Sequence, residues 1–325
     1  MLKRAWSLFF FLTVLMAAGQ EISNYHPISA LNMPGEKLSR LLALRQFNRG
    51  NSTFYWVVNT STLETSVISP QEIKFTPCSF DSACALLRET AYVKALKDAL
   101  ANSMKLQDAG ITHSIPSERG IVLTIDLCPS SKKLDRELFT RTISILGKKE
   151  SPVPLAISVS GSWMKEHPDD LTWILELVRN KKIHVDWINH SFTHPTSKTL
   201  PLDRNFLLEK GTSIREEVLK NEALMLECGI LPSVFFRFPG LVSDQTIFDE
   251  ICSFGLIPVG SDAWLAKNQE PNKGSIVLIH GNGNEPLGIE KFFQLISEEK
   301  IAIKNNNWLL YDLRESIQEK EEYKQ

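Results

Sequence analysis

The run Lys182-Ile183-His184-Val185-Asp186-Trp187-Ile188 passes directly into Asn189-His190-Ser191-Phe192-Thr193-His194-Pro195. The first half is short, apolar and β-rich, which predicts a strand. The second half places two imidazoles four residues apart, a spacing that would align them on one face of a helix. Pro195 and the polar Thr196-Ser197 argue against a helix, because proline removes an amide donor and clashes with the preceding turn. Both rings are therefore expected on the loop that leaves the strand. Two neutral imidazoles on one loop can hold a borderline-soft cation such as Zn2+. Histidine pairs are also ordinary surface residues, so the weight of this one depends on what surrounds it.

Outward from this stretch, apolar β-rich runs alternate with helix-like stretches from about Ile121. The predicted strands are 121–126, 153–159, 183–188, 234–237, 256–260, 276–279 and 308–311. Between them, apolar residues recur at helical spacing over 135–146, 168–180, 215–227, 244–254 and 289–299. Strands alternating with helices predict an α/β fold with a parallel sheet, for which closure into a barrel is the natural solution. In such barrels the site lies at the carboxyl ends of the strands, where the histidine pair would stand. Residues 20–118 read differently, with turn-rich segments, a hairpin at 53–59 and 65–68, and one helical stretch around 85–106.

The 325 residues suffice for a large domain and a smaller one, and 43% apolar with 23% charged residues is ordinary for a globular protein. A net charge of −2 gives no reason to expect a nucleic acid or a membrane surface as partner. Lys3 and Arg4 precede an apolar run from Ala5 to Leu15, and Ala17-Ala18-Gly19 follows. That is the plan of a secretory signal peptide, so export to the periplasm or the medium is expected, with no membrane association beyond the leader. Cys78 and Cys84 are close enough in sequence to bridge, and the odd count of five cysteines leaves at least one free thiol. The chain thus divides into a leader at 1–19, an accessory region at 20–118, a barrel at 119–313 and a charged tail at 314–325, read as a solvated helix.

Other strand ends carry polar residues that burial alone would not select. Asp126 ends the first strand, Arg237 the fourth (Arg237-Phe238-Pro239-Gly240), and His280 the sixth, while Asp262-Ala263-Trp264 follows the fifth. Singly, each has a bland account: Asp126 as a helix cap, Arg237 as a surface ion pair, His280 as a turn residue, Asp262 as a cap, Trp264 as core. Together, one at each strand tip, they describe the mouth of a barrel active site.

In this order the residues resemble the polysaccharide deacetylases, the NodB-type carbohydrate esterases of family four. The resemblance covers 119–313. It rests on Thr124-Ile125-Asp126, His190-Ser191-Phe192-Thr193-His194-Pro195, Arg237-Phe238-Pro239-Gly240, Asp262-Ala263-Trp264 and Leu278-Ile279-His280, the second being the most specific. It implies a distorted (β/α)7 barrel and a metal-dependent deacetylase acting on N-acetyl, or O-acetyl, groups of an extracytoplasmic polysaccharide or oligosaccharide. A divalent metal, Zn2+, would be held by His190 and His194. Asp126 would be the base, held by Arg237, and the Gly240 amide would meet the oxyanion. His280 would be the acid, oriented by Asp262 and packed by Trp264.

One departure matters. The resemblance calls for a second aspartate after Asp126, as a metal ligand, and the chain has Leu127 followed by Cys128. Water could complete the shell, Asp126 could itself be the third metal ligand, or Asp135 could reach in. A Cys128 thiolate ranks below these, because an oxidising compartment exposes it to other chemistry. Two alternative functions stay open: a catalytically silent glycan-binding protein of the same fold, and a metal-dependent hydrolase of a non-sugar amide. Trp163, Trp187, Phe192 and Phe238 are candidate sugar platforms, each with a core residue as the plainer account.

Overall fold

The computed structural model describes residues 21–32, 40–71, 73–116 and 118–318. The expected leader at 1–19 lies outside the described residues, as does most of the expected tail. Strands β1 (Ile22–Leu31), β2 (Leu41–Arg49), β3 (Ser52–Asn59), β4 (Thr65–Ile68) and β5 (Thr76–Pro77) form an antiparallel sheet in the order β4-β3-β2-β1-β5. The expected hairpin is β3–β4. Strands β1 and β2 were not expected: β1 is interrupted by Pro27 and two register shifts, and β2 is built from Leu, Ala, Arg and Gln. Those residues favour helix in isolation, but cross-strand pairing and burial override the preference. The expected helix around 85–106 is two helices, α1 (Phe80–Leu86) and α2 (Ala91–Ala101), the first capped by Ser79.

The second sheet contains β6 (Gly120–Leu127), β7 (Val153–Val159), β8 (Ile183–Asn189), β9 (Phe235–Phe236), β10 (Ile257–Pro258), β11 (Ala263–Trp264), β12 (Ile276–His280) and β13 (Leu309–Leu310). Its order is β10-β9-β8-β7-β6-β12-β11, with β13 beside the start of β6, and every pair is parallel. All seven expected strands are present, and the two-residue β11 is an addition. Helices α3 (Arg136–Leu146), α4 (Gly161–Glu166), α5 (Pro168–Arg179), α6 (Ile214–Glu227), α7 (Gln245–Ser253), α8 (Pro286–Glu298), α9 (Lys300–Lys304) and α10 (Leu313–Ser316) connect or follow the strands. The curled sheet and its helices are those of an α/β half-barrel.

Strand alternation explains how β6 serves two layers. Ile121, Leu123, Ile125 and Leu127 join the apolar layer beneath the helices, while Val122, Thr124 and Asp126 face the other way, into the barrel. No direct pairing joins β10 to β11 among the described residues. Gln107–Ser114 lies in that gap instead: Ile111 pairs with Val259 and His113 with Ser275, and the Ile111 amide donates to the Pro258 carbonyl at 3.0 Å. The expected boundary after residue 118 therefore falls beyond a segment already built into the barrel wall.

The N-terminal sheet is tied to the barrel by a fully buried ion pair. Arg45 on β2 donates to both carboxylate oxygens of Glu222 on α6, at 2.7 and 2.9 Å, and to the Phe254 carbonyl at 2.6 Å. Tyr25 adds a hydroxyl to Glu222, at 3.0 Å. All five cysteines are free thiols, so Cys78 and Cys84 are not bridged. Near the carboxyl end, α10 buries Leu313 and Ser316, and Ile317 is buried after it, so this stretch is docked rather than solvated. Among the described residues, no helix is long and apolar enough to cross a membrane.

Candidate active site

The expected residues converge at the carboxyl end of the sheet. Asp126 lies near the tip of β6 and is 3% exposed. The Ser158 hydroxyl, from the neighbouring β7, donates to its Oδ1. Arg237, fully buried just after β9, places Nη1 3.8 Å from that oxygen and donates from Nη2 to Thr124 Oγ1 at 3.0 Å. Burial opposes ionisation of Asp126, but Arg237, His190, His280 and the Ser158 hydrogen bond outweigh it and hold the carboxyl below its usual range. The site therefore keeps a buried carboxylate charged.

The loop Asn189–His194 is fixed by side chains of α6. Asn189 Oδ1 accepts from the Ser191 amide at 3.0 Å and from Asn221 at 2.7 Å; Glu217 accepts from the Thr193 amide and hydroxyl at 2.8 and 2.5 Å. These contacts hold Ser191 and His194 at φ of 63° and 51°, a region costly for residues with a side chain. The result brings the His190 and His194 rings together, 4.7 Å between centroids.

His190 Nδ1 is 2.9 Å from the Arg237 carbonyl, which can only accept, so Nδ1 carries a hydrogen, and in the neutral ring it is Nε2 that offers a lone pair. That Nε2 lies 3.4 Å from Cys128 Sγ and 3.8 Å from Asp126 Oδ2. His194 is buried, and neither of its ring nitrogens has a hydrogen-bond partner among the described residues. Two orphaned buried nitrogens are costly to leave unpaired. The donor atoms of Cys128, His190 and His194 all lie within 4.8 Å of one another and are buried. Imidazole and thiolate donors at this separation fit a zinc-like cation.

The position of the missing second aspartate faces away from the site, and one of the replacements considered for it does not reach in. Leu127 points into the apolar layer on the opposite side of β6. Asp135 caps α3, accepting from the Leu138 amide at 3.0 Å. Cys128, one position further along, returns to the face of Asp126. Burial opposes ionisation of its thiol, but His194, His280 and His190 outweigh it and pull the thiol well below its usual range.

His280 ends β12 and pairs in register with Asp126. Its Nδ1 is 2.9 Å from Glu285 Oε2, and the Trp264 ring packs beside it at 5.9 Å. Burial disfavours its charged form, yet Cys128, Glu285 and Asp126 outweigh that and raise the imidazole well above its usual range. Asp262, expected to orient this ring, is turned elsewhere: it bonds His113 Nδ1 at 2.6 Å and accepts from the Ile276 amide at 3.0 Å. The seam segment supplies that histidine and so diverts the carboxylate. Glu285 takes the expected place; the signal available in sequence was an acid just ahead of Pro286 at a helix start.

Gly240 sits at φ 61°, and a Cβ there would come within 2.3 Å of the Phe206 ring. Phe206, itself at φ 55°, also stands edge-on to His194. Neither it nor Ser158 was picked out in sequence. Trp163, Trp187 and Phe238 are buried core residues, whereas Phe192 is half-buried, with Lys165 Nζ 4.5 Å from its ring.

No protein-family model matches the chain. Similar solved structures include a family 4 carbohydrate esterase from Bacillus anthracis, at 18% identity and TM-score 0.46, covering 70% of this chain and 91% of that one. The Bacillus subtilis family 4 carbohydrate esterase PdaA gives 15% identity and 0.46 over 66% of this chain and 93% of its own. A CE4 family pseudoenzyme from Bacillus anthracis gives 20% and 0.45 over 65% and 70%. At such identities and scores these likenesses supply no ligand set and no residue role.

Proposed function

We propose that the chain is a metal-dependent deacetylase of the NodB type that hydrolyses N-acetyl, or O-acetyl, groups of an extracytoplasmic glycan. The observation that carries this reading is His194, buried with both nitrogens unpartnered, beside His190 and a carboxylate kept charged. His190 and His194 would hold a divalent cation, Zn2+, which when bound would supply Lewis-acid polarisation of the acyl carbonyl and a more acidic water. Asp126 Oδ2 accepts the proton of that water, while Arg237 and Ser158 hold its other oxygen. The Gly240 amide contributes a donor to the developing oxyanion. His280, whose charged form is favoured against burial by Cys128 first and then by Glu285 and Asp126, gives its proton to the departing amine or alcohol. The leader-like plan of residues 1–19 supports export, which would bring the site to its polymer.

The competing reading, a silent glycan-binding barrel, draws on Leu127 facing away from the mouth. A single experiment separates the two: amine release from N-acetylated chitooligosaccharides, with and without a chelator. Chelator-sensitive release supports the deacetylase; glycan binding with no release at any metal loading refutes it. Release from simple amides but not from glycans would move the substrate to a non-sugar amide.

A further inference from the structure

We infer that Cys128 is itself a ligand of the cation, making the site a thiolate–bis-imidazole one that selects Zn2+ or another thiophilic ion over Mg2+, Mn2+ and Ca2+. The inference rests on reading the mouth as a cation site, and not on any choice of substrate.

Three features of the geometry carry it. First, strand alternation removes position 127 from the mouth and returns position 128 to it, so the chain offers sulfur where oxygen was expected. Second, the hydrogen bond from His190 Nδ1 to the Arg237 carbonyl turns Nε2 toward Cys128 Sγ at 3.4 Å. At the mouth, the group whose donor atoms fall within 4.8 Å of one another is Cys128, His190 and His194, with no Asp126 oxygen among them. Third, one oxygen of Asp126 is already committed: Oδ1 receives the Ser158 hydroxyl and faces Arg237, leaving only Oδ2, 3.8 Å from His190 Nε2, to serve as a proton acceptor.

The consequences follow from ligand chemistry. A thiolate carries the one negative charge that Leu127 fails to supply, so the ligand set stays singly anionic. Soft sulfur favours zinc, cobalt or cadmium, whereas magnesium, calcium and manganese want oxygen. Three protein ligands is the number found at catalytic rather than structural zinc. Burial of Cys128 to 7% exposure keeps the sulfur from bulk oxidants, and ligation would keep it further engaged. Asp126 is thereby left free for proton transfer, separating two duties that adjacent aspartates would otherwise divide.

The test uses the full chain, purified in reductant, stripped with chelator and titrated with Co2+. The expected result is an intense thiolate-to-cobalt charge-transfer band in the near ultraviolet, abolished by Zn2+ and unaffected by Mg2+, Mn2+ or Ca2+. Cys128→Ser should lose the band and weaken Zn2+ binding by at least about a hundredfold, and Cys128→Asp should shift preference toward Mn2+. A cobalt-loaded wild-type protein without the band overturns the inference, as does Cys128→Ser binding Zn2+ with undiminished affinity. The wild-type spectrum decides even if the variants fail to fold. Failure to release amine from any acetylated glycan would defeat the deacetylase reading and leave this one standing.

Discussion

Glu285 Oε2 lies 2.9 Å from Nδ1 of His280 and accepts the Trp264 indole hydrogen at 2.7 Å. One carboxylate thus holds both the ring that carries the proton and the ring packed beside it. Asp262, to which the family resemblance gave this duty, is hydrogen-bonded to His113 at 2.6 Å instead.

Glu285→Gln should therefore lower the His280 pKa, because a charge that favours imidazolium is removed. An acid that must be protonated to act is then lost earlier as pH rises, so the alkaline limb of kcat moves to lower pH. A fall in kcat of roughly tenfold or more at mildly alkaline pH is expected, with zinc affinity unchanged. Asp262→Asn should leave the limb in place. Kinetics across pH for both variants check the pair, and movement by Asp262→Asn alone would reverse the assignment.

On the acid side the controlling group is Asp126, held ionised chiefly against its burial by Arg237. Asp126→Asn should cut kcat by about a hundredfold to ten-thousandfold while zinc stoichiometry stays near wild type. Arg237→Gln should raise the Asp126 pKa and move the acid limb to higher pH. It should also cost about 3–5 kcal/mol of stability, since it leaves a buried carboxylate without its partner. Retained activity in Asp126→Asn would exclude it as base.

His190→Ala and His194→Ala should each abolish zinc binding and turnover together. His280→Ala should slow turnover while binding zinc almost as well as the wild type. Metal content by elemental analysis, set beside kcat for the three proteins, distinguishes ligand from acid.

At Gly240, a methyl group meets two obstacles, a left-handed φ of 61° and the Phe206 ring at 2.3 Å. Gly240→Ala should cost about 1–2 kcal/mol for the backbone alone, and more for displacing the ring. Combining it with Phe206→Ala should recover the steric part only. Denaturant unfolding of the two single variants and the double variant separates these contributions.

Glu222→Gln tests the buried tie between the two sheets. Removing one partner of a fully buried pair typically costs about 3–5 kcal/mol, because Arg45 would be left charged and uncompensated. Chemical unfolding should show that loss, with exchange protection falling first in β1 and β2.

The barrel was legible because its central strands are buried on both faces and therefore read as largely apolar runs, as at β6 and β7. The N-terminal sheet was half hidden, since β2 spells a helix in Leu, Ala, Arg and Gln and becomes a strand only through its neighbours. Asp126, His190, His194, Arg237 and His280 stood out as polar tips on apolar runs. Glu285, Ser158 and Phe206 did not, because their positions depend on how loops return to the mouth. Cys128 was visible but ranked low on grounds of compartment, whereas the period-two geometry of its strand favours it over Leu127.

The stretch Gln107–Ser114 fills the slit between β10 and β11 and hands His113 to Asp262. Trimming the gene to begin at Arg119 would leave the barrel with an unstitched edge: a bare carbonyl on Pro258, a bare amide on Gly260, and an aspartate at the rim free to swing. A shortened version should thus aggregate or bind its own kind along that edge. Whoever transplants this barrel will have to carry its preceding strap along with it.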